Sequence, residues 1–343
     1  MSPLPGHRRS LPYWTLDVFT SSHFHGNPAA VLVLPTPTSP EFDDFALLQK
    51  LSTEFALPNT AVLRPTSDRQ VWDVRFFSKT QQIPLCGHAT MAAAHLFVRE
   101  LKTADLDADF VFRTSMGRGD IKVSQVGDVL GIELPADGSV LDQDNVQQID
   151  TERVKQAVSQ STKGVEAHDI VHVVRSERVG WVVELSPDVD LKNLLVEPKP
   201  IEDLTPFMLV MTQPSSQGGV NSRVFCPSMG TIEDQVVRSV PVSQVNTIEP
   251  RRKTDTELYT LIRLPQCGSA HCSVVPYFLG TPSARARLSS EGITQTKAND
   301  SGFQVTHLSK RGGKMFVTWE EKKGTCVLSG DTVLVSGGNV FLP

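Results

Sequence analysis

The sequence predicts an α+β fold built from two similar lobes, and three observations carry that prediction. Runs of β-type residues alternate with helical runs through a chain of 343 residues, a length that favours two domains at roughly 100–200 residues each. The hexapeptide Pro84-Leu85-Cys86-Gly87-His88-Ala89 returns as Pro265-Gln266-Cys267-Gly268-Ser269-Ala270 at an offset of 181, which Phe97 and Phe278 share. Between the two copies, residues 137–147 are polar with few large apolar side chains. The boundary falls there, giving lobes at residues 1–136 and 137–343.

From Trp14 the chain reads as two apolar β-type runs separated by Gly26-Asn27-Pro28, a turn signal, which predicts a hairpin. Phe42, Phe45, Leu48 and Leu51 then fall at helical spacing behind acidic residues, predicting one amphipathic helix. Strands follow over residues 60–63 and 71–77. The run after Pro84 is apolar almost all round, as in a helix buried inside a domain. Residues 109–125 and 129–136 read as further strands that close the first lobe, with a glycine-rich turn at Gly117 and Gly119. In the second lobe a hairpin spans residues 169–185, Val-Asp-Leu-Lys-Asn-Leu-Leu from Val189 reads as a short helix, and residues 207–212 and 220–227 read as strands. Phe77 stands 9 residues ahead of Cys86 whereas Phe225 stands 42 ahead of Cys267. The second lobe therefore carries an insertion of 33 residues, mostly polar, near 235–266.

Composition excludes several classes. The hydrophobic fraction of 39% and charged fraction of 21% are those of a globular chain, not of a disordered, collagenous or disulfide-scaffold one. A net charge of −5 leaves no electrostatic footprint for nucleic acid. No apolar stretch approaches the ~20 residues of a membrane span, and the start carries no signal core, so the default expectation is a soluble, cytoplasmic protein. The five cysteines are too few and too irregular for a disulfide framework. No Cys or His grouping has the spacing of a zinc site, and we assign no metal. Cys226, Cys272 and Cys326 read as structural, and Arg251-Arg252-Lys253 as a solvated loop.

The chemistry concentrates at the repeated hexapeptide. A glycine followed by small residues and an apolar helix places each copy at a helix N-terminus, where free backbone N–H groups attract negative charge. A cysteine there has its thiolate favoured. Two thiols facing each other across a small cavity suit proton transfer, one removing a proton from carbon while the other donates to the opposite face. Gly87, Gly268 and Ser269 then form an anion cradle for a carboxylate or a developing enolate. Such a reaction requires no cofactor. Cys86, Cys267 and His88 are the candidate acid/base set, His88 because imidazole alone titrates near neutrality unaided.

Five runs resemble the phenazine-biosynthesis PhzF family: DVFTSSHFHGNPAAVLVLP, FFSKTQQIPLCGHATMAAAHLF, NSRVFCPSMGTIED, CGSAHCSVVPYF and LSKRGGKMFVTWEEKKGTCVLSGDTVLVSGG. The resemblance covers nearly the whole chain. It implies two pseudo-symmetric lobes, each a β-barrel-like sheet around a central helix, similar to diaminopimelate epimerase and proline racemase, with the site in the cleft between them and a homodimer as the assembly. His88 matches the family's active-site histidine. The family's Ser-Glu-Thr motif, whose glutamate is the general acid/base, reads Pro58-Asn59-Thr60 here, and an amide cannot transfer a proton near pH 7. Asn59 is therefore assigned to substrate binding. The insertion separates Asp234 from Gly268, and Cys267 stands where the family has threonine. Asp234 is a further candidate for substrate binding.

The expected activity is a cofactor-independent isomerisation of a small polar metabolite. Two alternatives stay open: a cyclisation or pericyclic step promoted by positioning in the same cleft, and a binding protein that has lost its glutamate.

Overall fold

The first strand pair sets a pattern that the chain repeats. In the computed structural model, residues 9–103, 110–116, 119–142, 147–205, 208–227, 231–233, 267–293 and 302–343 are described, with backbone alone for 231–233, 267 and 268. Strand β1 (Ser10–Val18) pairs antiparallel with β2 (Asn27–Val33). Helix α1 (Phe45–Phe55) then carries the chain across to β3 (Asn59–Pro65), which lies parallel to β2. Strand β4 (Val71–Ser78) runs antiparallel to β3, and the short β5 (Gln82–Ile83) to β4. After helix α2 (Gly87–His95), β6 (Phe110–Thr114) pairs parallel with β4. Strands β7 (Asp120–Val126) and β8 (Val129–Pro135) follow as antiparallel neighbours.

A helix α3 (Gln148–Ser161) precedes the second round. Strands β9 (Ile170–Ser176) and β10 (Gly180–Leu185) are antiparallel. A crossover through α4 (Pro198–Leu204) then leads to β11 (Met208–Pro214), parallel to β10. Strands β12 (Val220–Cys226) and β13 (Thr231–Glu233) continue antiparallel. Helices α5 (Cys267–Gly280) and α6 (Pro282–Ser290) come next. Strand β14 (Phe303–His307) is parallel to β12, and β15 (Lys314–Glu320) and β16 (Thr325–Gly330) close the round antiparallel. The pairing sequence of β9 to β16 is that of β1 to β8, connection for connection, and each round carries its long apolar helix at the same place. Strand β8 pairs with β16, so the two rounds join through equivalent strands. The last strand, β17 (Thr332–Phe341), pairs along β1, so the ladder crosses the boundary expected at residue 137.

Each central helix is packed inside its sheet. Residues Gly87 to Ala94 of α2 are all buried against β1, β2, β3 and β8. Four alanines and a glycine among its nine residues let the strands approach closely on every side. Helix α5 touches α2, β8, β15 and β16, and the apolar residues of both helices belong to one continuous core. Smaller clusters form under α3 and α4 and between α1 and the outer face of β2 and β3.

Three local expectations are corrected, and one helix was not expected. Asn27 and Pro28 are the first residues of β2, and the turn occupies residues 19–26. The amphipathic helix begins as a 3-10 turn, Pro40–Asp43, before α1, which Asp44 caps by accepting from the Leu47 amide at 3.0 Å. The segment from Val189 to Leu195 is a turn and not a helix, because the Asp190 carboxylate takes both the backbone and the side-chain amide of Asn193, at 3.3 and 2.9 Å. That local bonding competes with helical hydrogen bonds. Helix α3, with only Val154, Ala157, Val158 and Ser161 buried, was hidden by its polar outer face. Gly117, Asp234 and the insertion lie outside the described residues.

Candidate active site

The start of α2 is built by its own sequence. Cys86 has extended backbone (φ −144°, ψ 105°) and caps the helix, its Sγ accepting from the Ala89 amide at 3.4 Å. Gly87 occupies the first helical position and His88 the second, where helix geometry leaves amides without an intrahelical acceptor. The Cys86 Sγ lies 3.7 Å from Nδ1 and 3.9 Å from Nε2 of His88. Both side chains are fully buried.

His88 is fixed by a residue that sequence reading assigned to a turn. The Asn27 side-chain amide donates to His88 Nδ1 at 3.2 Å, and Asn27 is itself fully buried. Burial pushes the His88 pKa down to about 3, because the interior penalises the imidazolium. The ring is therefore neutral at physiological pH, and with Nδ1 accepting, Nε2 carries the proton. Asn59 lies on β3 in register with Ala29. Since Asn27 is two residues before Ala29, and side chains alternate along a strand, Asn27 and Asn59 share one face of the β2–β3 pair. Among the described residues the buried Asn27 Oδ1 has no hydrogen-bond partner. The offset pattern held no signal for Asn27, because β10, the counterpart of β2, opens with Gly180 and not with an amide.

The second helix start is seen in part. Cys267 and Gly268 open α5, and their side chains lie outside the described residues; Ser269, the third residue, is fully buried. Asp234 lies outside them as well. One turn further along α5, His271 Nε2 pairs with Ser222 Oγ on β12 at 2.7 Å. The His307 ring stands 6.3 Å from that of His271, nearly perpendicular to it. Burial, with the nearby His271 and Arg223 charges, pushes the His307 pKa down to about 3. Among the described residues the buried His307 Nε2 has no hydrogen-bond partner. Cys272 and Cys326 are both fully buried. The hydrogen bond to Cys272 and burial push the Cys326 thiol well above the ordinary range, which suits an inert structural thiol.

Among the described residues an open groove of about 530 Å³ lies along α3, lined by Glu152, Arg153, Lys155, Gln156 and Glu166 among others. It contains none of the candidate residues, and its walls are mainly solvated side chains of one helix. No group of three or more His, Cys, Asp or Glu able to hold a metal occurs among the described residues.

A doubled α+β ladder with a buried apolar helix at the centre of each round defines the fold class. Within that class the chain belongs to the family described as phenazine biosynthesis-like protein, whose model matches residues 16–243. An uncharacterized isomerase of Halalkalibacterium halodurans is 26% identical, covering 95% of this chain and 97% of that protein. An uncharacterized isomerase of Pseudomonas aeruginosa is 24% identical, covering 97% and 99%. A PhzF-family phenazine biosynthesis protein from Enterococcus faecalis shares the fold with a TM-score of 0.68 at 20% identity, covering 97% of this chain and all of that one.

Proposed function

We propose that this protein is an isomerase that relocates a proton on a small polar, carboxylate-bearing metabolite without a cofactor, working between the starts of α2 and α5. The observation that carries this reading is the Cys86–His88 pair at 3.7 Å on a helix N-terminus, with the imidazole held neutral and its tautomer fixed by Asn27. Relatives bearing the name isomerase over nearly the full length of both chains support it.

In this scheme a thiolate at one helix start takes a proton from a carbon beside the substrate carboxylate. The C–H electron pair stays in the substrate as an enolate. A group at the other start then delivers a proton to carbon, so one C–H bond breaks and one forms. Cys86 and Cys267 are the two thiols, and His88, neutral and protonated on Nε2, completes the acid/base set as the donor to the Cys86 sulfur. The amides at Gly87, Gly268 and Ser269 hold the carboxylate or enolate oxygen. Asn59, and Asp234 where it reaches the cleft, orient the rest of the substrate. The acting unit in this scheme is a homodimer.

The test is deuterium incorporation from heavy water into a panel of small amino and hydroxy acids, followed by mass spectrometry. One substrate is expected to gain a single deuterium, and the gain to fall by about 10²-fold or more in His88→Asn, in the range removed with a general acid or base. Separate Cys86→Ser and Cys267→Ser variants that both keep full exchange would remove the two-thiol scheme. The amide face of Asn27 and Asn59 favours one second reading, a cyclisation promoted by hydrogen bonding, and turnover without deuterium uptake selects it.

A further inference from the structure

The loop that delivers Asn27 to His88 is strained, and the second round of the fold holds it. Within residues 19–26, Phe19 and Phe24 have left-handed backbones (φ 62° and 66°). Gly26 has φ 63°, and a Cβ there would stand 2.3 Å from the Val18 carbonyl oxygen. Non-glycine residues in this region persist only where their surroundings over-determine them.

The turn after β14 supplies that restraint. Arg311 donates through Nε to the Gly26 carbonyl at 2.9 Å, and through Nη2 to the His25 carbonyl at 3.0 Å and the Asp17 carboxylate at 2.6 Å. The Gly26 amide donates back to the Arg311 carbonyl at 3.2 Å, and Lys314 N donates to the Phe19 carbonyl at 2.8 Å. Asp17 is buried on β1, and its second oxygen takes the Phe24 amide at 2.6 Å. The same turn reaches the other helix, because Ser309 N donates to His307 Nδ1 at 3.3 Å and the His307 ring stands edge-on to that of His271 on α5. Only a guanidinium offers donors in a fixed fork able to meet two carbonyls and a carboxylate together; lysine presents a point charge.

We infer that Arg311 is a positioning residue for the His88 imidazole: by pinning Gly26 and Asp17 it fixes Asn27, and through Asn27 it selects which ring nitrogen of His88 carries the proton. The consequence for turnover rests on the proposed isomerase reading, whereas the tautomer does not.

The experiment is long-range ¹H–¹⁵N correlation of the histidine rings in the full chain, comparing wild type with Arg311→Met and Asp17→Asn. In the wild type His88 is expected as a single neutral tautomer with Nδ1 unprotonated. In Arg311→Met the ratio of the two tautomers is expected to fall about tenfold, the equivalent of ~1.4 kcal/mol. His172, on β9 and away from this turn, keeps its signals. Asp17→Asn is expected to shift His88 the same way, and it supplies the reading if Arg311→Met does not fold. A His88 spectrum identical to wild type in a folded variant overturns the inference. A changed tautomer leaves the hold of Arg311 on His88 standing; undiminished deuterium exchange beside it takes His88 out of the acid/base set, whereas no exchange in the wild type removes the isomerase reading.

Discussion

The two rounds of the fold share one ladder and bury different chemistry. Around α2 the packing is apolar: Trp72 and Phe97 lie 4.4 Å apart between ring centroids, and Phe110 and Phe112 complete the cluster. Polar contacts gather at the helix start, in Cys86, His88 and Asn27. Around α5 they run the length of the helix. His271 meets Ser222, Ser273 donates to the buried Asp137 carboxylate at 2.8 Å beside Ser176, and the Tyr277 hydroxyl donates to Glu184 at 2.5 Å. The ladder registers place Ser222 and His307 together on β12 and β14, where β4 and β6 place Val74 and Thr114. A duplicated backbone therefore does not require a duplicated core. It requires that each round satisfy whatever polar groups it buries.

The Glu184 cluster is the sharpest place to break this comparison. Glu184 is 1% exposed and receives Arg287 through Nε at 2.8 Å and Nη2 at 2.6 Å, in addition to Tyr277. Carboxylate and guanidinium together are tolerated; the carboxylate alone in that place is not. Arg287→Met is expected to cost about 3–5 kcal/mol, the range for removing one partner of a buried pair, read as a lowered midpoint in urea. A loss below about 1 kcal/mol, the scale of an exposed pair, shows that the second round is not held by its buried charge. Phe110→Ala in the first round is expected to cost about 3–5 kcal/mol as a cavity in an apolar core, with no dependence on salt or pH.

Acid separates the rounds by one imidazole each. His88 and His307 both have pKa values near 3 in the fold, where burial opposes their charge. In the unfolded chain an imidazole titrates near 6.5. Above that pH neither state is protonated and the rings contribute no pH dependence. As pH falls below it the unfolded chain takes up protons that the native rings refuse, so stability is lost steadily until about pH 3. Each ring accounts for about 1.4 kcal/mol per pH unit within that window, or about 2–3 kcal/mol between pH 6.5 and 4.5. His88→Asn and His307→Asn should each remove one ring's share of the slope in urea titrations repeated across pH. A slope unchanged in both variants means that neither ring is buried neutral.

Much of the ladder was legible in the sequence, because hydrophobic alternation and turn residues mark strands locally, and the repeated hexapeptide placed both central helices. Cys86, Gly87 and His88 came with it. Asn27 did not, since in Gly26-Asn27-Pro28 the same residues that signal a turn also open a strand, and only pairing with Val18 decides between them. Helix α3 was missed because a surface helix with four buried positions shows little periodicity. The turn of 189–195 was misread because leucine spacing suggested a helix while Asp190 and Asn193 encoded their own hydrogen bonds. Arg311 and Asp17, 294 residues apart, could not be joined by any local rule. Long-range polar pairing is a property of the assembled sheet and leaves no periodic trace.

The smallest effect concerns the cap of α2, and it asks whether the thiol at Cys86 is there for structure. Its Sγ accepts the Ala89 amide at 3.4 Å, a long bond to a weak acceptor. Serine and threonine are the preferred residues at such a cap, and their replacement by alanine costs about 0.5–2 kcal/mol. A sulfur cap should be worth less, so Cys86→Ala is expected to lower stability by about 0.5–1 kcal/mol. Cys86→Ser should leave stability unchanged or raise it slightly, since oxygen accepts the same amide better. If capping were the whole duty of position 86, serine would serve at least as well as cysteine. A Cys86→Ser protein of full stability that has lost deuterium exchange therefore assigns the sulfur to chemistry. Full stability with full exchange assigns it to the helix.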